Sequence, residues 1–240
     1  VDFTIADNNY KFDNYYKDVK RKFLKKIDFF KQKKSFFIEK RDEEKRTFYN
    51  EATLDRYSNI IFLEGHFESE SYFKKYSKEI KNNIKINTNY INLNNKYIDI
   101  LKNSNSVSIC VRQNRYSEGK TKNNNKSIEF TKQTISYIND AVKFVKKKID
   151  NPKFFVWSND FTNLRTFFDE NEFTFIENQN NKSLNDFYLF QYCKHFILGP
   201  TSFHWWGAWL NESSNKICIR PKNINPSNNI NFWPENWISI

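Results

Sequence analysis

Gly199–Leu210 reads GPTSFHWWGAWL and holds two of the chain's four glycines and three of its six tryptophans. It follows Phe196-Ile197-Leu198, a short apolar run that predicts a buried strand. Gly199-Pro200 stops that strand, and Thr201-Ser202 stand where a helix cap belongs, ahead of an aromatic and apolar run. Strand, tight turn, hydroxyl pair and helix together present unpaired backbone N–H groups and a favourable dipole to an anion. A diphosphate suits that geometry. A plain strand-to-helix junction, in which Thr201 and Ser202 only cap, fits the same residues.

The same reading extends outward. Apolar runs at Val107–Val111, Phe154–Trp157, Phe173–Ile176, Phe196–Leu198 and Ile217–Ile219 predict strands. Helical patterns at Phe130–Lys147, Thr162–Phe168, Leu184–Tyr192 and Phe203–Leu210 fall between or after them. Alternation of this kind predicts an α/β fold with a parallel sheet covered on both faces. Ligands of such sheets sit at the carboxyl ends of the strands. Arg112, Asn159-Asp160 and Thr201-Ser202 each follow a strand directly, so three polar groups converge on one crevice. Upstream, Phe23, Ile27 and Phe30 keep helical spacing within Tyr16–Lys34, and Ile60–Leu63 predicts a strand closed by Gly65. Ser69–Ile80 predicts one helix capped by Ser69. Polar Asn103–Ser106 reads as a linker, dividing the chain into domains at 1–104 and 105–240.

GPTSFHWWGAWL resembles the S-N-S-T-F-S-W-W-G-A-x-L stretch of the bacterial α-1,2-fucosyltransferases, a glycosyltransferase family 11 type that uses GDP-fucose. Four further stretches agree in order. FLEGHFESESYF (62–73) is similar to Y-L-x-G-Y-x-Q-S-E-K-Y-F. VSICVRQNRY (107–116) is similar to V-S-x-H-I-R-R-G-D-Y, and FFVWSND (154–160) to a strand ending F-S-D-D. The tail from Pro221 resembles A-P-K-x-W…W-I, so the likeness runs from about Ile60 to the C-terminus. The resemblance implies two facing Rossmann-like domains of the GT-B type. The N-terminal one, on the acceptor side, is incomplete, because the family's G-G-L-G-N-Q-M-F-Q segment has no counterpart. It implies inverting, metal-independent transfer of fucose from GDP-fucose to the 2-hydroxyl of a β-galactoside, in glycan or O-antigen synthesis, with no cofactor beyond the donor.

Arg112 matches the first Arg of the family's H-x-R-R-G-D, which places it on the GDP phosphates as the catalytic electrostatic group. A guanidinium forks onto phosphate oxygens and stays charged. As the leaving group departs, negative charge grows on the β-phosphate, and fixed donors stabilise it. Asp160 is the candidate reader of guanine, whose paired N–H donors suit a carboxylate; as a cap for Thr162 it has an ordinary structural alternative. Thr201, Ser202, Phe203 and Cys110 complete the donor-side set by position. Cys110, Gln113 and Arg115 depart from the family's His, Arg and Asp, and His204 replaces a Ser. The alternative function is a degenerate relative that binds nucleotide or glycan without turnover. Trp205, Trp206 and Trp209 read as packing that locks the helix to the sheet. Glu64, Glu68, Ser69 and Glu70 are candidates to face the acceptor, and no general base is named.

Composition sets wider bounds. The net charge of +11 suits an anionic partner, whether a nucleotide sugar or a membrane surface. Aromatics fall in apolar runs rather than among basic residues, which argues against nucleic acid. Cys110, Cys193 and Cys218 have no metal-ligand spacing, and no D-x-D motif follows a strand. Buried thiols and the lack of a signal-peptide pattern point to the cytoplasm, with peripheral placement at the inner membrane surface as a further expectation. The absence of Met points to a processed or partial chain.

Overall fold

A computed structural model describes residues 11–84, 86–91, 95–117, 122–177 and 182–240. The chain divides into two units, one of residues 1–84 with 227–232 and the other of residues 85–226 with 233–240.

The first unit begins with helix α1 (Tyr15–Asp28), capped by Asn14, whose side chain accepts the Lys17 N–H at 3.0 Å. At its other end the buried Asp28 carboxylate accepts the backbone N–H groups of Ser35 and Phe36 at 2.7 and 3.0 Å. That fixes the start of strand β1 (Lys34–Ile38), which pairs in parallel with β2 (Tyr57–Glu64). The core here is aromatic: Phe36 stacks on Phe62 at 5.1 Å, and Phe37 on Phe67 at 5.8 Å. Buried Glu39 accepts N–H groups of His66 and Phe67 on one oxygen and the Asn229 amide on the other. Gly65 is required by this packing, since a Cβ there would lie 2.5 Å from Glu39 Cβ.

Ser69–Ile80 is not the single helix expected. Two 3-10 turns, Glu70–Tyr72 and Lys74–Tyr76, precede a short α2 (Ser77–Asn83). Ser69 does cap, but the backbone leaves helical geometry at Phe73 (φ −136°, ψ 0°). Tyr72 is turned inward, with its hydroxyl on Phe48 O and its ring against Phe67 and Tyr49. Tertiary aromatic packing thus overrides the helical spacing.

In the second unit a 3-10 turn (Thr88–Tyr90) precedes α3 (Ile98–Asn103), which runs directly into β3 (Asn105–Val111). Asn103–Ser106 is therefore no linker: Ser106 is fully buried, and its hydroxyl bonds Leu101 O at 2.8 Å. The remaining elements are α4 (Asn124–Lys148), β4 (Pro152–Ser158), β5 (Phe173–Phe175), α5 (Lys182–Phe190), β6 (His195–Ile197), α6 (Ser202–Leu210), β7 (Cys218–Arg220) and β8 (Ile238–Ser239). All six strands are parallel, in the order β5-β4-β3-β6-β7-β8.

Side chains alternate across β3. Val107, Ile109 and Val111 join Phe154 and Val156 in a core with Ile135, Ile138, Ala141, Val142 and Val145 of α4. On the other face, Ser108 bonds His204 of α6, and Trp157 of β4 packs on Phe190 of α5. Helices thus cover both faces, which is the condition a parallel sheet requires. The helix expected over Thr162–Phe168 contracts to one 3-10 turn, Leu164–Thr166, because Asn163 is left-handed (φ 63°). Among the described residues no helix is long and apolar enough to cross a membrane.

Candidate active site

The carboxyl ends of β3, β4 and β6 bring their loops together. At β6, the turn works by close approach. A Cβ on Gly199 would lie 2.0 Å from Cys110 O, so only glycine lets these two strands pass into their loops side by side. Thr201 then adopts extended geometry (φ −141°, ψ 145°) and caps α6, its hydroxyl accepting the His204 N–H at 3.2 Å. Ser202 follows as the first helical residue and is exposed. The expected cap and first-turn positions are both found, and the helix N-terminus opens beside the end of β3. The Phe203 ring packs between Phe187 and Phe190, 5.5 Å from each.

His204 holds this turn in place. Fully buried, it receives the Gly199 N–H on Nδ1 at 3.0 Å and meets Ser108 Oγ through Nε2 at 2.8 Å. Because Nδ1 accepts, the ring proton belongs on Nε2, which donates to Ser108. Burial lowers its pKa to about 3, so the ring is neutral and ties α6 to β3 and to the turn. Trp205 and Trp209 stack 6.0 Å apart, with Trp206 edge-on to both and Trp237 beside Trp205, which anchors the rest of the helix.

At β3, the Cys110 thiol is buried and its pKa is pushed up to about 12, first by burial and then by the charge of Asp186. The Arg112 charge and the Thr201 hydroxyl oppose that shift, so Arg112, Asp186 and Thr201 all lie around this thiol. Arg112 itself is half-buried. Asp186 of α5 was not anticipated; the signal for it is the Asn185-Asp186 pair, buried within the otherwise apolar LNDFYLF.

The loops after β3 and β4 are zipped together. Gln113 N–H donates to Asn159 Oδ1 at 2.9 Å, and the Gln113 amide donates to Asp160 O and Thr162 O at 2.6 and 2.9 Å. Asp160 Oδ1 accepts the Thr162 N–H at 2.8 Å, as a local cap, and Oδ2 accepts the Asn114 amide at 3.1 Å. Exposed Asn159 pairs with the Gln113 backbone through both its oxygen and its amide. Arg115, which reverses a charge in the motif, donates to Pro200 O at 3.2 Å and Pro226 O at 2.6 Å. Its guanidinium also lies 5.4 Å from the Phe130 ring centre, so it straps the β3 loop to the turn ahead of α6. Among the described residues, no group of three or more His, Cys, Asp or Glu is assembled to hold a metal ion.

The first-unit acidic candidates are engaged within that unit. Glu64 pairs with Arg21 and Lys25, at 3.4 and 2.7 Å. Glu68 accepts the Ser227 hydroxyl, and Glu70 pairs with Lys74 at 3.1 Å.

Comparison with known proteins bears on this arrangement. The family described as Glycosyl transferase family 11 matches residues 16–240. An Escherichia coli α-1,2-colitosyltransferase is 26% identical over 221 residues, covering 78% of this chain and 73% of that protein. The E. coli O-antigen biosynthesis glycosyltransferase WbnK is 25% identical over 200 residues, covering 80% of this chain and 65% of that protein. No solved structure matches.

Proposed function

The chain belongs to glycosyl transferase family 11, and we propose that it transfers fucose from GDP-fucose to the 2-hydroxyl of a galactoside with inversion, in O-antigen or related glycan synthesis. The observation that carries this reading is the convergence of Arg112, Asp160 and the Thr201-capped N-terminus of α6 at three neighbouring strand ends. In this reading the diphosphate lies on the first turn of α6, where backbone N–H groups and the Ser202 hydroxyl meet it. Arg112 adds a fixed positive charge to the β-phosphate as the glycosidic bond breaks and GDP leaves. Asp160 reads guanine, whose paired N–H donors suit a carboxylate. Cys110, buried and protonated, positions Thr201, and Phe203 wedges the helix start onto α5. In this reading the chain is a GT-B enzyme, the first unit taking the acceptor and the second the donor. Work at the inner membrane surface of the cytoplasm follows from an acceptor of this kind.

Similarity to the colitosyltransferase favours a second reading of the donor, a colitosyl group in place of fucosyl. Incubating the full-length protein with a β-galactoside and each donor in turn, and assigning the product linkage by NMR, decides between them. An α-1,2-fucosylated product is expected. A colitosylated product alone corrects the donor. GDP binding without turnover on either donor replaces the enzyme with the nucleotide-binding relative.

A further inference from the structure

Helix α1 faces the wrong way for a globular surface helix. Its inward side carries Arg21 and Lys25, paired with Glu64 of β2, and the buried Asp28. Its outward side carries Tyr15, Tyr16, Val19, Phe23 and Ile27 within about 120° of arc, a single stripe at helical spacing. Tyr16 is 83%, Phe23 61% and, just beyond the helix, Phe30 85% exposed. Single exposed apolar residues are ordinary, but a contiguous stripe of six marks a surface that something covers.

Charge identifies the cover. Residues 15–34 hold nine Lys and Arg against two Asp. Beyond the Glu64 pairs, Lys20, Lys22, Lys26, Lys31, Lys33 and Lys34 are exposed, Lys26 within the arc of the stripe and Lys22 and Lys31 also paired with Asp18 and Asp28. An aromatic stripe rimmed by lysine is the composition of a helix lying in the headgroup region of an anionic bilayer. A second copy is disfavoured, since facing stripes would press the two lysine rims together. We propose that α1 docks the protein on an anionic lipid surface, with Tyr16, Val19, Phe23, Ile27 and Phe30 entering the interface and the lysines contacting headgroup phosphates. The docking surface is independent of which sugar donor the second unit takes.

The test is co-sedimentation of the full-length protein with vesicles of phosphatidylcholine alone and of phosphatidylcholine with phosphatidylglycerol. Strong binding only to the anionic vesicles is expected. It should weaken sharply as salt is raised from about 0.1 to about 1 M, which shortens the screening length from about 10 to about 3 Å. Phe23→Ser with Phe30→Ser, and separately Lys20→Glu with Lys26→Glu, should each cut partitioning about tenfold or more. Both double variants should keep the parent's circular dichroism and GDP binding, because these side chains make no core contact. Absence of vesicle binding by the parent, equal binding to neutral vesicles, or unchanged binding by both variants overturns the proposal. So does a parent dimer that Phe23→Ser with Phe30→Ser converts to monomer, which assigns the stripe to a second copy.

Discussion

Helices α1 and α4 carry apolar stripes of the same helical spacing and bury opposite faces. In α4, Ile135, Ile138, Ala141, Val142 and Val145 enter the core against β3 and β4. In α1 the stripe from Tyr15 to Ile27 stays in solvent, only Leu24 among its apolar residues being half-buried, and the ion pairs to Glu64 and the Asp28 carboxylate fasten the helix by its polar side. The difference lies in what each helix has to pack on. A six-stranded parallel sheet offers α4 a wide apolar face, whereas β1 and β2 present Glu64 to α1. A helical stripe therefore says that an element is amphipathic, and its partner decides which side goes in.

The largest effects expected follow that contrast. Trp205→Ala removes a buried indole that packs against Trp209 and Trp237, and should cost about 3–5 kcal/mol. Phe23→Ala, on the exposed stripe, should change stability by no more than about 0.5 kcal/mol. Urea unfolding separates the two. All six tryptophans lie in the second unit, so intrinsic fluorescence follows that unit alone, while far-UV circular dichroism follows both. Comparable losses for the two variants would erase the contrast between the helices.

A smaller effect should appear with pH. His204 is neutral in the fold, with a pKa lowered from 6.5 to about 3 by burial, so below pH 6.5 the unfolded chain takes up a proton that the folded chain refuses. Its contribution is complete above pH 6.5 and is lost as the pH falls toward 3, at about 1.4 kcal/mol per pH unit. His204→Asn should be less stable at pH 7, because the paired groups at Ser108 and Gly199 lose their bridge. Its fluorescence-detected stability should also decline less steeply between pH 6 and about 4 than the parent's. An unchanged slope would mean that another group carries the acid sensitivity.

Much of the second unit was legible because its signals are local. Apolar runs gave β3, β4 and β6, the last closed by Gly199-Pro200, and Thr201 caps α6 as its sequence position implies. What stayed hidden depends on residues far apart in the chain. Arg115 is explained by Pro200 and Pro226, and His204 by Ser108 and Gly199. The polar Asn105 and Ser106 looked like a linker because polarity usually marks exposure, yet Ser106 is buried with its hydroxyl paired to Leu101 O. The direction in which α1 faces was invisible for the same reason, since Glu64 lies 39 residues from Lys25.

The central claim is that the turn from Gly199 to Ser202 binds a diphosphate, and the most direct test is calorimetric titration of Thr201→Ala with Ser202→Ala using GDP and guanosine. Loss of the Thr201 cap should lower stability by only about 1 kcal/mol, leaving the fold intact for the measurement. The account predicts that GDP affinity falls about tenfold or more, as expected when hydrogen bonds to a charged group are lost, while guanosine affinity stays within about twofold. Equal losses for the two ligands, or none for GDP, would make the turn a structural junction and contradict the account.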